Sequence, residues 1–358
     1  MKAIACEDSR RLTNRRGALS RSLVMSTVLS VVLAVVVCGT ATATAPAAEG
    51  GVGAGKVKGV PTILDSDIGD DIDDTWALAL LLQSPELDLK LVVGDYGKAD
   101  YRARLLAKLL QTAGRTDVAV GVGLEIDPRG EGGQAAWVRG YALSNYPGKV
   151  HRDGVQALID TIMGSPEPVT LICIGPLPNI AAALEREPRI ANKARFVGMH
   201  GSVRVGYGGS KTPAAEWNVK ADPKACRKAF EAAWPMTITP LDTCGTIDLS
   251  GDRYRRVKEC ATPLTRALVE NYRAWCHSQD AKNESAETHS STLFDTVAVY
   301  LAVSQELCEM EQVGIRVTDD GMTVEDANAK KVSAAMRWKS LDGFRDFLTD
   351  RLVTPRAR

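Results

Sequence analysis

An alternation constrains this chain more than any other feature. Short apolar runs recur at "PTILD" (61–65), "LKLVVGD" (89–95), "DVAVGV" (117–122), "PVTLICI" (168–174), "ARFVGM" (194–199) and "MTITPLD" (236–242). Between them lie stretches with helical spacing, such as "DYRARLLAKLLQTAG" ending at Gly114 and "LPNIAAALERE" ending before Pro188. Runs this short and apolar are strands buried on both faces, and the intervening helices make βαβ units. The expected fold class is therefore α/β, an open, mostly parallel sheet flanked by helices in a single domain. After Gly245 the segment "TIDLSGDRYRRVKECATPLTRALVENYRAWCHSQ" reads as mainly helical, an elaboration of that domain.

Charge narrows the partners. Lys+Arg and Asp+Glu both number 44, so no global field favours nucleic acid or an anionic membrane surface, and local clustering carries the information. At the N-terminus, Arg10, Arg11, Arg15, Arg16 and Arg21 precede an apolar run from Leu23 to Val37 and then "CGTATATAPAAEGG". This is the pattern of a cleaved export signal, and the apolar run is shorter than the roughly 20 residues that span a membrane. Residues 1–48 are accordingly set apart from a mature domain over 49–358. An exported, periplasmic or extracellular protein without stable membrane association is expected. Six cysteines fall in the mature region, with neither a CxxC pair nor a zinc spacing, and export permits disulfides among them. Nothing in the sequence decides between a monomer and a homo-oligomer such as a dimer or tetramer.

The sharpest cluster is "ILDSDIGDDIDDTWALALLL" (63–82), with six aspartates between positions 65 and 74. In an open α/β sheet ligands bind beyond the carboxyl ends of the strands, and Asp65, Asp67, Lys98, Ile174, Met199 and Asp242 fall at or just after such ends. Asp73 and Asp74 would begin the helix "DDTWALALLLQ", where carboxylates are favoured. Capping leaves Asp65 and Asp67 unexplained, because packed like charges repel unless protons or a cation neutralise them. Carboxylates without neighbouring Cys or His suit a hard ion, calcium or magnesium, and not zinc. The run is not an EF-hand: counted from Asp65, Gly69 stands at the fifth place and Trp76 where a bidentate Glu belongs.

"LDSDIGDDIDDTWALALLL" resembles the N-terminal motif of the inosine-uridine-preferring nucleoside hydrolases, DxDxGxDD followed by an apolar helix. "VTLICIGPLPNIAAALEREPRI", "AAEWNVKADPKA" and "TLFDTVAVYLA" resemble that family's later motifs in the same order, and "DDGMTVED" and "RWKSLDGFRDFL" also fit. The resemblance implies calcium-dependent hydrolysis of the N-glycosidic bond of a small-molecule nucleoside, releasing ribose and free base. It implies Asp67 as general base and calcium ligand, Asp74, Asp295 and the Ile174 carbonyl as further ligands, Asp73, Glu216 and Asn218 as ribose contacts, and Met199 in the pocket wall. Two residues more than in the motif separate Gly69 from Asp73, so Asp70 and Asp71 compete for the paired roles. The start of the apolar helix favours Asp73 and Asp74.

The chemistry makes sense of that set. An oxocarbenium-like transition state calls for an activated water, negative charge near the sugar and help for the departing base. Other readings stay open. Glu216 with Asn218, and Asp295, would also serve as helix caps, and Asp242 reads as structural. His151 and His200 are either surface or catalytic residues, and Trp76, Trp217 and Trp234 pack in the core unless Trp217 flanks the pocket. Lys98 would pair with the acidic loop unless Asp95 fills its place. Phe294 stands where purine-cleaving relatives carry a proton-donating His, which leaves His289, solvent, or a leaving group that departs unaided. A magnesium-dependent phosphatase with Asp65 as nucleophile, and a non-catalytic nucleoside- or ribose-binding protein, are the alternative functions.

Overall fold

The computed structural model describes residues 59–128, 130–279 and 285–354. The proposed export signal lies outside them. Ten strands form one sheet: β1 Val60–Ser66, β2 Leu87–Gly94, β3 Ala119–Gly121, β4 Val150–His151, β5 Val169–Cys173, β6 Ala194–Met199, β7 Met236–Thr239, β8 Cys308–Val317, β9 Thr323–Glu325 and β10 Lys331–Trp338. Their spatial order is β4-β3-β2-β1-β5-β6-β7-β10-β8-β9. The strands from β4 across to β10 pair in parallel, whereas β8 is antiparallel to both β10 and β9.

The chain builds outward from β1 in one direction through β2, β3 and β4, then returns to place β5 on the other side of β1. The crevice at the carboxyl ends of β1 and β5 is thus the switch point where open α/β sheets bind ligands. All six runs read as strands are strands. The expected open sheet is present, with helices α1 Asp73–Leu82 and α2 Ala99–Thr112 among those covering it. Every residue of α1 is buried, because it lies between the sheet and the later helices. Gly114, just past α2, sits at φ +70°, the left-handed turn that stops the helix.

The helical elaboration is also present, as Gly251–Glu259 and Pro263–Ser278. It docks on α1 through aromatics: the Trp76 ring lies 6.3 Å from Tyr254 and 6.2 Å from Tyr272. Trp76 and Trp234 are fully buried, as expected of core residues, while Trp217 is 41% exposed. The six cysteines among the described residues are free thiols. No helix among the described residues is long and apolar enough to cross a membrane.

Candidate active site

The end of β1 delivers the acidic run, and the loop after it is shaped by what lies behind. Gly69 takes φ +127°, a conformation that strains any side chain, and a Cβ there would strike the Tyr101 ring at 2.5 Å. Tyr101 in turn donates from its hydroxyl to the Gly69 carbonyl at 3.0 Å. The buried Arg102 guanidinium, one residue on, donates to the carbonyls of Asp67 and Ile68, to that of Tyr96, and to the Asp70 carboxylate. Trp275 donates from Nε1 to the Asp70 carbonyl at 2.8 Å, and Gln134 from Nε2 to that of Asp71 at 2.7 Å. The loop's carbonyls are thereby turned to donors, while the carboxylates of Asp67, Asp73 and Asp74 are buried.

Those carboxylates meet residues from three other places. Oxygens of Asp73, Asp74 and Asp295 lie within 4.8 Å of one another. Asp295 N–H donates to Asp73 Oδ2 at 3.3 Å, and Ser66 Oγ donates to Asp74 Oδ1 at 2.7 Å. Beyond β5, Gly175 packs so closely on Asp67 that a Cβ would stand 2.9 Å from its Oδ1, which is why the strand turns there on a glycine. From the Trp217–Ala221 helix, Asn218 Nδ2 donates to the carbonyls of Met199 at 3.0 Å and Ile174 at 3.2 Å. Glu216 caps that helix, its carboxylate accepting from the backbone N–H groups of Asn218, Val219 and Gly201.

All eight residues selected from the sequence, Asp67, Asp73, Asp74, Ile174, Met199, Glu216, Asn218 and Asp295, line one cavity of about 330 Å³. Asp70 and Asp71 line it too, but both are exposed at its mouth, and Asp70 is engaged by Arg102. The cap foreseen for Glu216 is real and coexists with membership of the cavity, whereas the start of α1 has no side-chain cap, Asp73 and Asp74 standing in its first turn, and Asp295 makes none to its own helix.

Electrostatics there are unfavourable to bare carboxylates. Burial pushes Asp67 up to about 7, with Arg102 pulling the other way. Asp73, Asp74 and Asp295 are raised well above the carboxylate range by burial and then by the charge of neighbouring carboxylates, Asp71 for Asp73, Asp67 for Asp74 and Asp73 for Asp295. A divalent cation among them removes that penalty, and a set of buried oxygen donors without sulfur or imidazole fits a hard one.

Several expectations are corrected. Asp65, the nucleophile of the phosphatase reading, is fully buried, accepts from Asn179 Nδ2 at 2.9 Å and does not line the cavity. Asp95 is buried beside it with neither oxygen met by a donor, and each is raised by burial, Asp95 further by Asp65's charge. One proton held between the two accounts for both. Lys98 pairs with Glu131 at 3.6 Å and not with the acidic loop. His200 is not on the surface and does not line the cavity: it is buried among Phe196 and Phe230, lowered to about 4 by burial, and donates from Nε2 to the Gly175 carbonyl at 3.0 Å. His289 accepts from or donates to Thr288 Oγ1 in an exposed loop and does not line the cavity. Asp242 is structural, its two oxygens taking the backbone N–H groups of Val203 and Arg204.

Sequence reasoning missed Tyr207, Trp275 and Gln279, which also line the cavity with Trp217 and Phe294. Trp275 and Gln279 come from the helical elaboration, whose periodicity shows a packed helix and gives no sign that its end reaches the site.

A profile of the family described as inosine-uridine preferring nucleoside hydrolase matches residues 62–345. The pyrimidine-specific ribonucleoside hydrolase RihA of Enterobacter sp. (strain 638) is 30% identical over 322 residues, covering 82% of this chain and 98% of that protein. The protein of the same name from Citrobacter koseri is 28% identical over 318 residues with the same coverage. Among solved structures, the plant nucleoside hydrolase PpNRh1 superposes with a TM-score of 0.71 at 21% identity, covering 83% of this chain and 99% of that one. A purine-preferring ribonucleoside hydrolase from Gardnerella vaginalis gives 0.68 at 23%, covering 82% and 98%. These two likenesses carry the fold, and the profile and the 30% relative carry more: the chain belongs to the inosine-uridine preferring nucleoside hydrolase family, hydrolases of the N-glycosyl bond of ribonucleosides.

Proposed function

We propose that this protein is a calcium-dependent ribonucleoside hydrolase that acts after export, releasing ribose and free base. The observation that carries the reading is the convergence of Asp67, Asp73, Asp74 and Asp295 with Glu216 and Asn218 on one cavity. Asp67, Asp74, Asp295 and the Ile174 carbonyl would hold the calcium. Bound there, it neutralises the buried carboxylates and polarises water.

The chain's own groups do the rest. Asp67, in the cavity beside the place of the attacking water, removes that water's proton as general base, and its carboxylate would be kept ionised for the purpose by the cation. Asn218 has committed both amide hydrogens to Met199 and Ile174, so its Oδ1 is left to accept from a ribose hydroxyl. Glu216 Oε2 already takes two N–H groups and Oε1 one, which leaves Oε1 as the acceptor for a hydroxyl. Together with Asp73 these acceptors fix the ring, and binding energy spent on the sugar favours its distortion toward the transition state. The relatives' names include both pyrimidine-specific and purine-preferring enzymes, so the base is a matter for experiment.

The test is to incubate the mature protein with uridine, cytidine, inosine and adenosine and assay free ribose. Activity is expected on at least one nucleoside, lost with a chelator and restored by calcium. Binding of nucleoside without any ribose release would overturn the reading.

A further inference from the structure

The base must leave with help, and neither residue that the sequence offered provides it. Phe294 has no proton to share, and His289 is outside the cavity. The buried carboxylates Asp67, Asp73, Asp74, Glu216 and Asp295 form the floor of the cavity, and the rest of its wall includes four aromatic side chains, Tyr207, Trp217, Trp275 and Phe294. A flat base belongs against that wall while its sugar belongs on the floor. Among the described lining residues Tyr207 carries the only hydroxyl, and of the other donor side chains Trp275 and Asn218 are spent, which leaves Trp217 and Gln279 as its rivals. Trp275 Nε1 is given to Asp70, and the Asn218 amide to Met199 and Ile174.

The Tyr207 hydroxyl is also held in place. It accepts the Trp217 backbone N–H at 2.8 Å, and its ring meets Phe294 edge-on with centroids 6.2 Å apart. That fixes the oxygen where the aromatic wall joins the segment bearing Glu216 and Asn218. Its own hydrogen has no acceptor among the described residues. Partial burial, with the charge of Glu216 nearby, raises the phenol, so the hydroxyl keeps its hydrogen and has it to give.

Resting on the nucleoside hydrolase reading above, we propose that Tyr207 is the hydrogen-bond donor to the departing base. In the step, the bond between the anomeric carbon and the base nitrogen breaks and its electron pair passes to the base. Water adds to the carbon and gives its proton to Asp67. The Tyr207 O–H donates to the acceptor beside the glycosidic nitrogen, a pyrimidine carbonyl oxygen or a purine ring nitrogen, as negative charge gathers there. Tyr207 keeps its proton, and the base takes its own from solvent.

The experiment compares wild type with Tyr207→Phe, which keeps the ring on Phe294. Both are assayed on the best nucleoside and on p-nitrophenyl riboside, whose nitrophenolate leaves without a proton. A positioned donor to developing charge is typically worth about tenfold or more. The expected result is a loss of kcat of about tenfold or more on the nucleoside, with KM little changed, and a loss of at most about twofold on the nitrophenyl riboside. Equal losses on both substrates would overturn the assignment, leaving Tyr207 as an anchor for the Trp217 backbone, and so would no loss on either. A wild-type protein that releases ribose from neither substrate would instead overturn the hydrolase reading, and the assignment with it.

Discussion

Arg102 holds Asp70 from behind: its Nη2 stands 2.8 Å from the Asp70 carboxylate while the guanidinium itself is 1% exposed. Asp70 is half exposed, so the ion pair alone is worth little. The weight lies in the other bonds, to the carbonyls of Asp67, Ile68 and Tyr96, none of which keeps that donor if the guanidinium is removed. Arg102→Met is expected to cost about 3 kcal/mol or more, since unmade hydrogen bonds to a charged donor in a buried setting cost most. Arg102→Lys should recover only part, because a single ammonium cannot reproduce the planar fork. Thermal melts of the two variants check this, and a Met variant as stable as wild type would show that the loop holds its own shape.

Asp67→Asn removes a base and weakens a metal ligand at constant volume. Ribose release should fall by about 10²-fold or more, the range for lost general-base catalysis, with circular dichroism unchanged. Because burial raises the Asp67 carboxyl, the substitution also relieves a penalty at neutral pH in chelator-treated protein, so the melting temperature should not fall there. Wild-type-like turnover would sink the mechanism.

The pH dependence of stability follows in sign from the raised carboxyls. Burial pushes Glu216 from 4.5 to about 7. Between those values the folded state holds the proton and the unfolded state does not, so stability falls as pH rises, by about 1.4 kcal/mol per pH unit for one such group, and levels off above about 7. Asp73, Asp74 and Asp295 act in the same direction. Melts of chelator-treated protein should therefore be higher at pH 5 than at pH 8, and a melting temperature rising with pH across that window would refute the picture.

Calcium should reverse that slope. A ligand that binds only the folded state stabilises it by about 2.7 kcal/mol at a hundred times its Kd. Its carboxylate ligands must be deprotonated, so the gain in melting temperature should be larger at pH 8 than at pH 5. An unchanged melting temperature at saturating calcium would count against a metal site.

How much of this was legible depends on where the information lies. The central strands announced themselves because both faces are buried, so β5 reads as an apolar run from Val169 to Cys173 broken only by Thr170. In the half-exposed β8 and β10, charged residues such as Glu309, Glu311 and Arg337 alternate with apolar ones, which blunts the signal, and β4 has two residues. At the site, Asp67, Asp73 and Asp74 were visible because six aspartates beside a core demand neutralisation. Asp295, Glu216 and Asn218 needed the family motifs, since one carboxylate before a helix looks like a cap. Tyr207 left no trace: its place depends on a loop that folds back until its hydroxyl meets Trp217, ten residues on.

The pair Asp65 and Asp95 gives the last expectation. Asp65 Oδ1 and both oxygens of Asp95 are buried without a donor, although Asn179 serves Asp65 Oδ2. Asp95→Asn keeps the shape, removes one of two like charges and brings an amide hydrogen to the unmet oxygen of Asp65. It should raise the melting temperature, and the rise should be greater at pH 8 than at pH 5, where a shared proton already relieves the repulsion. Lys98→Ala, by contrast, loses only a 3.6 Å pair to Glu131 between partly exposed side chains and should change stability by no more than about 0.5 kcal/mol. Ribose release should survive both substitutions within a few-fold, because neither residue lines the cavity. A destabilised Asp95→Asn protein would show that the second carboxylate holds a charge the fold needs, and the shared-proton account would then be wrong.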